Sequence, residues 1–279
     1  MQTIYSFSEL RSVRASMHGS FGLIPTMGAL HVGHASLVDR ARQECNYIGT
    51  SIFVNPTQFG AGEDFGKYPR TLGNDLALLE SLGVDIVFVP SVEVIYPLGY
   101  QTWVDVADVT APLEGKYRPG YFRGVTTVVA KLLNAFTPSQ AYFGQKDAQQ
   151  VVVLKRMVLD LNFPVELMVC PTVREADGLA MSSRNAYLNP AERQAATVLY
   201  RALCAAKENY DGGERNAETL RAAMQSMLDS EPLALAQYVS AADPETLTEL
   251  DRIEKGVLLS LAAQIGKTRL IDNFPIGDQ

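Results

Sequence analysis

The sequence predicts an α/β protein with a doubly wound parallel sheet, followed by a smaller α+β domain. Strand-like apolar runs alternate with helical periodicity from Phe21 to about Cys170, and the pattern changes after Asn189-Pro190. The length of 279 residues exceeds one ordinary core. Because alternating strands and helices imply right-handed crossovers, we expect ligands beyond the carboxyl ends of the strands.

The first region contains runs rich in β-branched or aromatic residues, which predict strands, and runs with a 3.6-residue period, which predict helices. The strands are Leu23–Pro25, Ile48–Val54, Ile86–Val89, Ala141–Phe143 and Val165–Val169, and the helices are Ser36–Glu44, Asn74–Leu82, Thr126–Ala135 and Gln149–Asp160. Two stretches between them, Gly60–Arg70 and Thr110–Gly124, are rich in Gly, Pro, charged and aromatic residues. We interpret them as long loops, one or both of which serve as lids.

The region after Asn189-Pro190 predicts a smaller α+β unit. Its helices are Ala191–Glu208 and Ala217–Leu228, separated by the turn Asp211-Gly212-Gly213, and its strands are Gln237–Ser240, Val257–Ala263 and Thr268–Ile271. We therefore predict a Rossmann-like first domain over residues 1–173 and an α+β C-terminal domain over residues 174–279.

Composition restricts the class of protein. The hydrophobic content of 47% with 20% charged residues is typical of a soluble globular chain. A formal charge of −7, without clustered Lys and Arg, argues against a nucleic-acid-binding surface. The N-terminal residues lack the basic and long apolar regions of a signal peptide, and no apolar run approaches the roughly 20 residues of a membrane span.

The three cysteines, Cys45, Cys170 and Cys204, are odd in number and far apart, in apolar or helical contexts. We interpret them as buried free thiols in a reducing cytoplasm.

Two histidines follow the first predicted strand, in the stretch Gly22–Leu37. His31 and His34 lie at or just inside the start of a helix, and residues three apart share one helical face. Both rings can donate to an anion held against free backbone N–H groups at the positive end of the helix. The alternatives are a pair that only caps the helix and a zinc site, which would need further ligands that no nearby Cys or His supplies.

The string Phe143–Asp147 again joins a strand end to a helix start. Lys146 and Gln150 are four apart, so a cation and an amide project together from the edge of the sheet. The alternative is a solvated lysine at a helix start.

The glycine-led string Asp177–Asn185 offers two hydroxyls and a guanidinium in succession, from Ser182, Ser183 and Arg184. That chemistry suits the outer phosphates of a nucleotide. A serine-rich turn between two domains is the structural alternative.

A further string, Asn55-Pro56-Thr57-Gln58, follows the second predicted strand, so Gln58 should emerge beside the turn Pro25–Gly28. A primary amide binds carboxylate and hydroxyl groups without adding charge. Ordinary turn chemistry explains Asn55-Pro56 but not Gln58.

These strings carry a resemblance to a known family. His31-Val32-Gly33-His34 resembles the H-x-G-H signature that adenylyltransferases share with class I aminoacyl-tRNA synthetases. Together the strings Pro25–His34, Ser51–Phe59, Phe143–Asp147 and Asp177–Asn185, in this order, resemble the pantothenate synthetases over nearly the whole chain, thinning after about Tyr187. The chain lacks the lysines of the K-M-S-K-S loop at the matching places, which counts against a tRNA synthetase.

The resemblance implies an ATP-dependent ligase that acts in two steps. The carboxylate of pantoate attacks the α-phosphorus of ATP and releases pyrophosphate. The amine of β-alanine then attacks the pantoyl adenylate and releases AMP, which yields pantothenate. The resemblance further implies Mg²⁺ beside ATP and a homodimer, whereas composition argues against a nucleic acid or a membrane as partner.

The resemblance also assigns site residues along the matching strings. ATP would contact Met27, Gly28, Ala29, Leu30, His31, Val32, Gly33, His34, Gly144, Gln145, Lys146, Asp147, Val173 (through its backbone), Met181, Ser182, Ser183 and Arg184. The catalytic positions are His34 as proton donor, with His31, Lys146, Ser182, Ser183 and Arg184.

Three further assignments concern pantoate, the second loop and the metal. Gln58 and Gln150 would hold pantoate, Gln58 would also touch β-alanine, and Glu114 would sit over the site. Relatives carry Glu where this chain has Gln145. For Mg²⁺ we name only Asp75, since the triphosphate can provide most of the ligands.

Two other functions remain open at this point. An adenylyltransferase of the same fold would transfer AMP to a small phosphorylated acceptor, but it would need further cations, whereas the amides of Gln58 and Gln150 fit an acceptor of low charge. A non-catalytic nucleotide-binding module is the third possibility. Amine-dependent release of AMP distinguishes all three.

Overall fold

The computed structural model describes residues 1–60 and 62–277. The chain forms two compact units. The first comprises Met1–Gly144 and Val153–Pro171, and the second comprises Gln145–Val152 and the residues from Thr172 onward. The division into domains 1–173 and 174–279 stays a prediction. None of the helices in the described ranges is long and apolar enough to cross a membrane.

The first unit is built on a parallel sheet that has six strands among the described residues, in the order β1-β4-β3-β2-β5-β6. The strands are β1 Gln2–Ile4, β2 Phe21–Thr26, β3 Tyr47–Ile52, β4 Ile86–Phe88, β5 Gln140–Gly144 and β6 Glu166–Cys170. From β2 the chain proceeds to β3 and β4 on one side and later to β5 and β6 on the other. The strand order therefore reverses between β2 and β5, and such a switch point is where open parallel sheets bind ligands. The predicted doubly wound sheet is confirmed.

Helices connect these strands. They are α1 Phe7–Ala15, α2 Val32–Glu44, α3 Leu72–Ser81, α4 Val92–Ile95, α5 Glu114–Tyr117, α6 Tyr121–Phe136 and α7 Ala148–Asp160, and α7 begins in the second unit and ends in the first. The apolar stripe of α2, formed by Leu37, Val38 and Ala41, is buried in one core with Ile24 of β2 and Ile48 of β3. Removing that stripe from water stabilises the packing by about 25 cal/mol per Å² of apolar surface, and so fixes which face of α2 packs against the sheet.

The structure corrects several sequence predictions in this unit. The predicted strand Leu23–Pro25 is longer in the structure and continues through Pro25 to Thr26. Pro25 is tolerated because β5 pairs with β2 only at Gly22 and Leu23, so no N–H of residue 25 is needed for pairing with β5. The predicted loop Thr110–Gly124 contains α5 and the start of α6. The sequence reasoning also missed β1 and α1, which are short; Leu10 alone is buried in α1.

The second unit contains an antiparallel sheet in the order β7-β8-β9 and further helices. These elements are α8 Pro190–Ala195, α9 Val198–Asp211, α10 Ala217–Asp229, β7 Ala234–Ala242, β8 Gly256–Ile265 and β9 Thr268–Gly277. The predicted single helix Ala191–Glu208 is therefore wrong. It is interrupted where the Thr197 hydroxyl donates to the carbonyl of Gln194, in competition with the helical backbone bonds.

The three cysteines are all free, but only Cys170 is buried, whereas Cys45 and Cys204 are half-buried. The prediction that all three are buried is wrong for these two. Burial raises the pKa of the Cys170 thiol above its ordinary value, so this thiol is not a reactive one.

Candidate functional site

The turn after β2 adopts a left-handed backbone at two consecutive residues, Gly28 with φ +79° and Ala29 with φ +50°. The carboxylate of Asp75, on α3, holds it. Asp75 is 3% exposed and accepts hydrogen bonds from the N–H groups of Ala29, at 3.0 Å, and Leu30, at 2.9 Å. The Thr71 hydroxyl donates to the same carboxylate at 3.1 Å. Since both oxygens of Asp75 accept backbone hydrogen bonds, its geometry is that of a residue that fixes the turn.

His31 and His34 follow this turn and cap α2. The Nδ1 atom of His31 accepts from the N–H of Gly33 at 3.1 Å, and the Nδ1 atom of His34 accepts from the N–H of His31 at 3.3 Å. The ring centroids lie 4.1 Å apart. A neutral imidazole that accepts at Nδ1 carries its hydrogen on Nε2, so each ring is a donor through Nε2.

The backbone at this helix start differs from the expectation of free N–H groups. The N–H of Gly33 donates to the His31 ring, so it is not available for an anion in this conformation. A cap alone is one of the functions that the sequence allowed. The geometry allows a cap and a donor to an anion at the same ring, because Nδ1 makes the cap and a hydrogen on Nε2 can be donated.

Gln58 lies beside the same turn, as the sequence predicted. Its side chain is buried, its Nε2 atom donates to the sulfur of Met27 at 3.0 Å, and its Oε1 atom accepts from Nδ2 of Asn55 at 3.0 Å. The Asn55 Nδ2 atom also donates to the carbonyl of Gly124 at 3.0 Å, and Asn55 Oδ1 accepts from the Tyr96 hydroxyl at 2.9 Å. These contacts fix the orientation of the Gln58 amide, with Oε1 toward Asn55 and Nε2 toward Met27.

Sequence reasoning assigned Asn55 to ordinary turn chemistry and missed this role. Asn55 is 1% exposed, and a buried amide must find partners for both of its ends. Burial raises the pKa of Tyr96, although its hydrogen bonds act the other way, so its hydroxyl stays protonated and can donate to Asn55. In the sequence Asn55 directly follows the predicted strand Ile48–Val54, and that position is the one signal of its role.

The two predicted lid loops are joined by an ion pair. Arg118 donates from Nε and Nη2 to the two carboxylate oxygens of Glu63, each at 2.8 Å, and Nη2 also donates to the carbonyl of Gln58 at 3.2 Å. The guanidinium lies 3.7 Å from the centroid of the Tyr121 ring. Burial by itself lowers the pKa of Arg118, but the hydrogen bond with Glu63 and the electrostatic interactions with Tyr121, Glu63 and Glu114 together outweigh it and raise the pKa, so the guanidinium is charged.

Glu114, at the start of α5, is 6% exposed and lies 3.8 Å from Nη1 of Arg118.

Ala61, within the first predicted loop, lies outside the described residues. The sequence contained no spacing that indicates the pairing of Arg118 with Glu63, because 55 residues separate them.

In the second unit, Gln145–Asp147 forms a 3-10 turn that leads into α7. The ammonium of Lys146 lies 3.9 Å from the carboxylate of Asp147, and its side chain is 21% exposed. Lys146, Ser182 and Asn185 line one small cleft, so the structure brings the predicted cation and the predicted hydroxyl together. Gln150 is half-buried near the start of α7.

The loop that carries Ser182, Ser183 and Arg184 follows a tight hairpin. The N–H of Met181 donates to the carbonyl of Val173 at 2.9 Å, and Arg174 bridges with Ala180. The Ser182 hydroxyl then accepts from the N–H of Arg184 at 3.3 Å. The carbonyl of Val173 is therefore already used within the hairpin.

Side chains on both flanks brace this hairpin. Asn185 donates to Oε1 of Glu175 at 3.0 Å, and Arg193 pairs with Glu175 at 2.6 Å and with Asp177 at 2.8 Å. Arg174 pairs with Asp272 of β9. These contacts hold the hairpin from both sides.

No group of three or more His, Cys, Asp and Glu side chains in the described ranges could hold a metal ion. His31 and His34 therefore find no further zinc ligands among these residues.

Comparisons with known proteins agree on one family. The family model described as pantoate-beta-alanine ligase matches residues 2–275. A pantothenate synthetase of Roseiflexus castenholzii is 61% identical over 273 residues, which cover 98% of both chains. The crystal structure of a pantothenate synthetase from Thermus thermophilus is similar with a TM-score of 0.95 and 49% identity, over 98% of this chain and 99% of that one.

A third relative was solved with ligands. The pantoate-beta-alanine ligase of Francisella tularensis, complexed with beta-gamma ATP and beta-alanine, has a TM-score of 0.81 and 37% identity, over 98% of this chain and 97% of that one. With a family match over nearly its full length, and with the H-x-G-H turn at the switch point of a doubly wound sheet, this chain belongs to the pantoate–β-alanine ligase family.

Proposed function

We infer that this chain condenses pantoate with β-alanine in an ATP-dependent reaction that forms pantoyl adenylate and releases pyrophosphate and AMP. The observation that carries this inference is the match of the ligase family model to residues 2–275. It favours the ligase over the adenylyltransferase that the H-x-G-H signature alone left open.

The first step needs electrostatics more than it needs a base. The carboxylate of pantoate is ionised at neutral pH, and the obstacle is repulsion between one anion and the polyanionic triphosphate. We propose that His31 and His34 contact the phosphates through Nε2, with His34 as the proton donor. The hydrogen bonds at Nδ1 support this proposal, because they fix both ring orientations and leave each hydrogen on Nε2.

Lys146, Ser182, Ser183 and Arg184 supply the remaining charge and donors to the phosphates in this proposal. The common cleft of Lys146 and Ser182 supports it. The remaining ATP positions proposed from the family resemblance are Met27–Leu30, Val32 and Gly33, Gly144, Gln145, Asp147, Val173 and Met181.

Pantoate is proposed to bind the amides of Gln58 and Gln150. A site built around hydrogen bonds from amides rejects an analogue that leaves them unpaired. The hydrogen bonds of Gln58 with Asn55 and Met27 support this role, because they fix the orientation of the amide.

Mg²⁺ accompanies ATP in this proposal, with the triphosphate as its main source of ligands. Asp75 was the one candidate ligand from the protein, and the hydrogen bonds that both of its oxygens accept from backbone N–H groups support a role in the turn instead. We therefore assign Asp75 to the turn, and no step of the reaction is derived through the metal.

The organisation of the chain is also proposed. We propose a homodimer on the basis of the family resemblance, cytoplasmic location on the basis of the free cysteines Cys45, Cys170 and Cys204, and domains over residues 1–173 and 174–279. Sedimentation equilibrium tests the homodimer, since a monomer mass at micromolar concentration would reject it.

Product analysis tests the activity. The chain is incubated with ATP and pantoate, with and without β-alanine, and nucleotide and pantothenate are quantified. Pantothenate and AMP in equal amounts, dependent on the amine, are expected. ADP as the product would reject the ligase. AMP release over multiple turnovers at the same rate with and without β-alanine would also reject it.

A further inference from the structure

Asn273, in the middle of β9, is a buried amide whose three side-chain hydrogen bonds all go to the turn that carries Lys146. The side chain is 4% exposed. Its Nδ2 atom donates to the carbonyl of Gln145 at 3.0 Å and to the carbonyl of Lys146 at 2.9 Å, and its Oδ1 atom accepts from Nε2 of Gln145 at 3.0 Å. Both hydrogens of the amide are therefore used on consecutive backbone carbonyls.

Two carbonyls held by one amide fix two consecutive peptide planes. The Lys146 residue lies between those planes, so its Cα–Cβ direction is fixed as well. The lysine side chain keeps its own rotamers, but its starting point does not move. Such positioning matters because a displacement of about 1 Å at a reacting group can lower a rate by about 10²-fold.

The preceding residue of β9 contacts the hairpin that leads to Ser182, the second segment proposed to bind the phosphates. Asp272, 2% exposed, accepts from Nη1 of Arg174 at 2.6 Å and from Nη2 at 2.9 Å. Arg174 lies in the hairpin that leads to Ser182, and its Nη1 atom also donates to the carbonyl of Gly178 at 3.0 Å. The carboxylate of Asp272 is used in that ion pair, whereas the amide of Asn273 supplies side-chain hydrogen bonds from β9 to the Lys146 turn.

We propose that Asn273 is a positioning residue for adenylate formation, which acts by holding the backbone on both sides of Lys146. This inference rests on the proposed role of Lys146 at the phosphates. Asn273 does not touch substrate in this proposal, so its effect must pass through Lys146.

The substitution Asn273→Asp tests it with little change of shape. The variant loses both N–H donors and places carboxylate oxygens beside two carbonyls, while Gln145 can still donate to it. We expect pantoate-dependent exchange of pyrophosphate into ATP to fall about 10- to 100-fold, with the KM for pantoate unchanged. The second variant is Asn273→Ser, whose side chain is uncharged and too short to reach both carbonyls. Its exchange rate should also be lower than that of wild type.

A matched control makes the same chemical change elsewhere in the unit. Asn216 caps α10 by accepting from the N–H groups of Glu218 and Thr219, and an Asp accepts equally well. Asn216→Asp should therefore leave the exchange rate unchanged. All variants are assayed at a temperature well below their measured melting points, so that loss of folded protein does not enter the rate.

A double-mutant cycle with Lys146→Ala separates positioning from general damage. Lys146→Ala alone should slow exchange by at least about 10²-fold, and adding Asn273→Asp to it should cost less than about threefold more, because no lysine remains to be positioned. If the two losses multiply instead, or if folded Asn273→Asp and Asn273→Ser exchange at the wild-type rate, the inference is wrong. If Lys146→Ala exchanges pyrophosphate at the wild-type rate, the proposed role of Lys146 is wrong, and the inference about Asn273 is wrong with it.

Discussion

At the scale of single residues, the imidazoles of the H-x-G-H turn do two things through different nitrogen atoms. The Nδ1 atoms of His31 and His34 accept backbone hydrogen bonds, and their Nε2 atoms carry the hydrogen. The cap and the proposed contact with phosphate are therefore separable at each ring. A substitution that keeps one nitrogen's contact and removes the other can test this separation.

The substitution His34→Asn tests the separation. An Asn side chain can place its Oδ1 atom where Nδ1 of His34 accepts from the N–H of His31, but it has no atom at the position of Nε2. We expect a melting temperature within a few degrees of wild type and an adenylate formation rate lower by at least about 10²-fold, as for a lost preorganised donor. Thermal unfolding and exchange of labelled pyrophosphate into ATP measure the two quantities. His34→Ala should lose both stability and rate, and an Asn variant as active as wild type would contradict the role of Nε2.

Asp75 offers a second test, because a metal ligand and a residue that fixes a turn respond differently to added metal. Asp75→Asn replaces one acceptor by an amide that faces the N–H of Ala29 or Leu30, which should cost about 1–3 kcal/mol of stability. We expect reduced adenylate formation that does not recover when Mg²⁺ is raised tenfold. Recovery to near the wild-type rate at high Mg²⁺ would instead indicate that Asp75 is a metal ligand.

At the scale of elements, α6 approaches the Asn55–Gln58 turn as closely as a glycine permits. A Cβ atom on Gly124 would lie 2.4 Å from the carbonyl oxygen of Thr57, and the Gly124 carbonyl accepts from Asn55. The helix therefore positions the amide of Gln58 through the backbone, without a side chain of its own.

Gly124→Ala should push α6 and this turn apart. We expect a loss of about 1–3 kcal/mol of stability. The KM for pantoate should rise more, relative to wild type, than the KM for ATP does, because Gln58 is displaced. Gly73→Ala is the matched control, since a Cβ at Gly73 meets nothing within 4 Å and Gly73 lies in the helix α3. That control should match wild type or gain up to about 1 kcal/mol. Unchanged stability and KM in Gly124→Ala would show that the turn does not depend on the close approach.

At the scale of the whole molecule, the reaction requires that pantoyl adenylate be kept from water until the amine arrives, since an acyl adenylate hydrolyses readily. The loops Gly60–Arg70 and Thr110–Gly124 are joined by the pair of Glu63 with Arg118, so a movement of one loop transmits force to the other. We propose that they cover the intermediate as one lid.

Two measurements test the lid under one set of conditions. ATP and pantoate together, without β-alanine, should protect Lys67, Lys116 or Arg118 from tryptic cleavage relative to the free protein. Rapid mixing of the same substrates should release about one equivalent of pyrophosphate per site, followed by slow turnover. ATP alone is the control and should give neither result. Continuous release of pyrophosphate without amine would contradict both the lid and the retention of the intermediate.

The sequence by itself determined the fold class and the family. Alternating periodicity predicted the parallel sheet, and the strings around His31, Gln58, Lys146 and Ser182 predicted the ligase, because local hydrophobic period and short motifs are properties of neighbouring residues. Short elements with little buried surface, such as β1 and α1, gave too weak a period to be seen. The missed break at Thr197 came from a side-chain hydrogen bond that competes with the helix.

Only the tertiary structure decided what holds the functional groups in place. Asn55, Asp75, Arg118 and Asn273 each contact a site residue or its backbone, and the partners of Asp75, Arg118 and Asn273 lie 45 to 128 residues away. A buried polar group must find partners, but the sequence does not indicate which ones, since the choice depends on how distant elements meet. Single motifs therefore predicted which side chains take part in the proposed reaction, and the packing of distant elements decided which groups hold those side chains or their backbone.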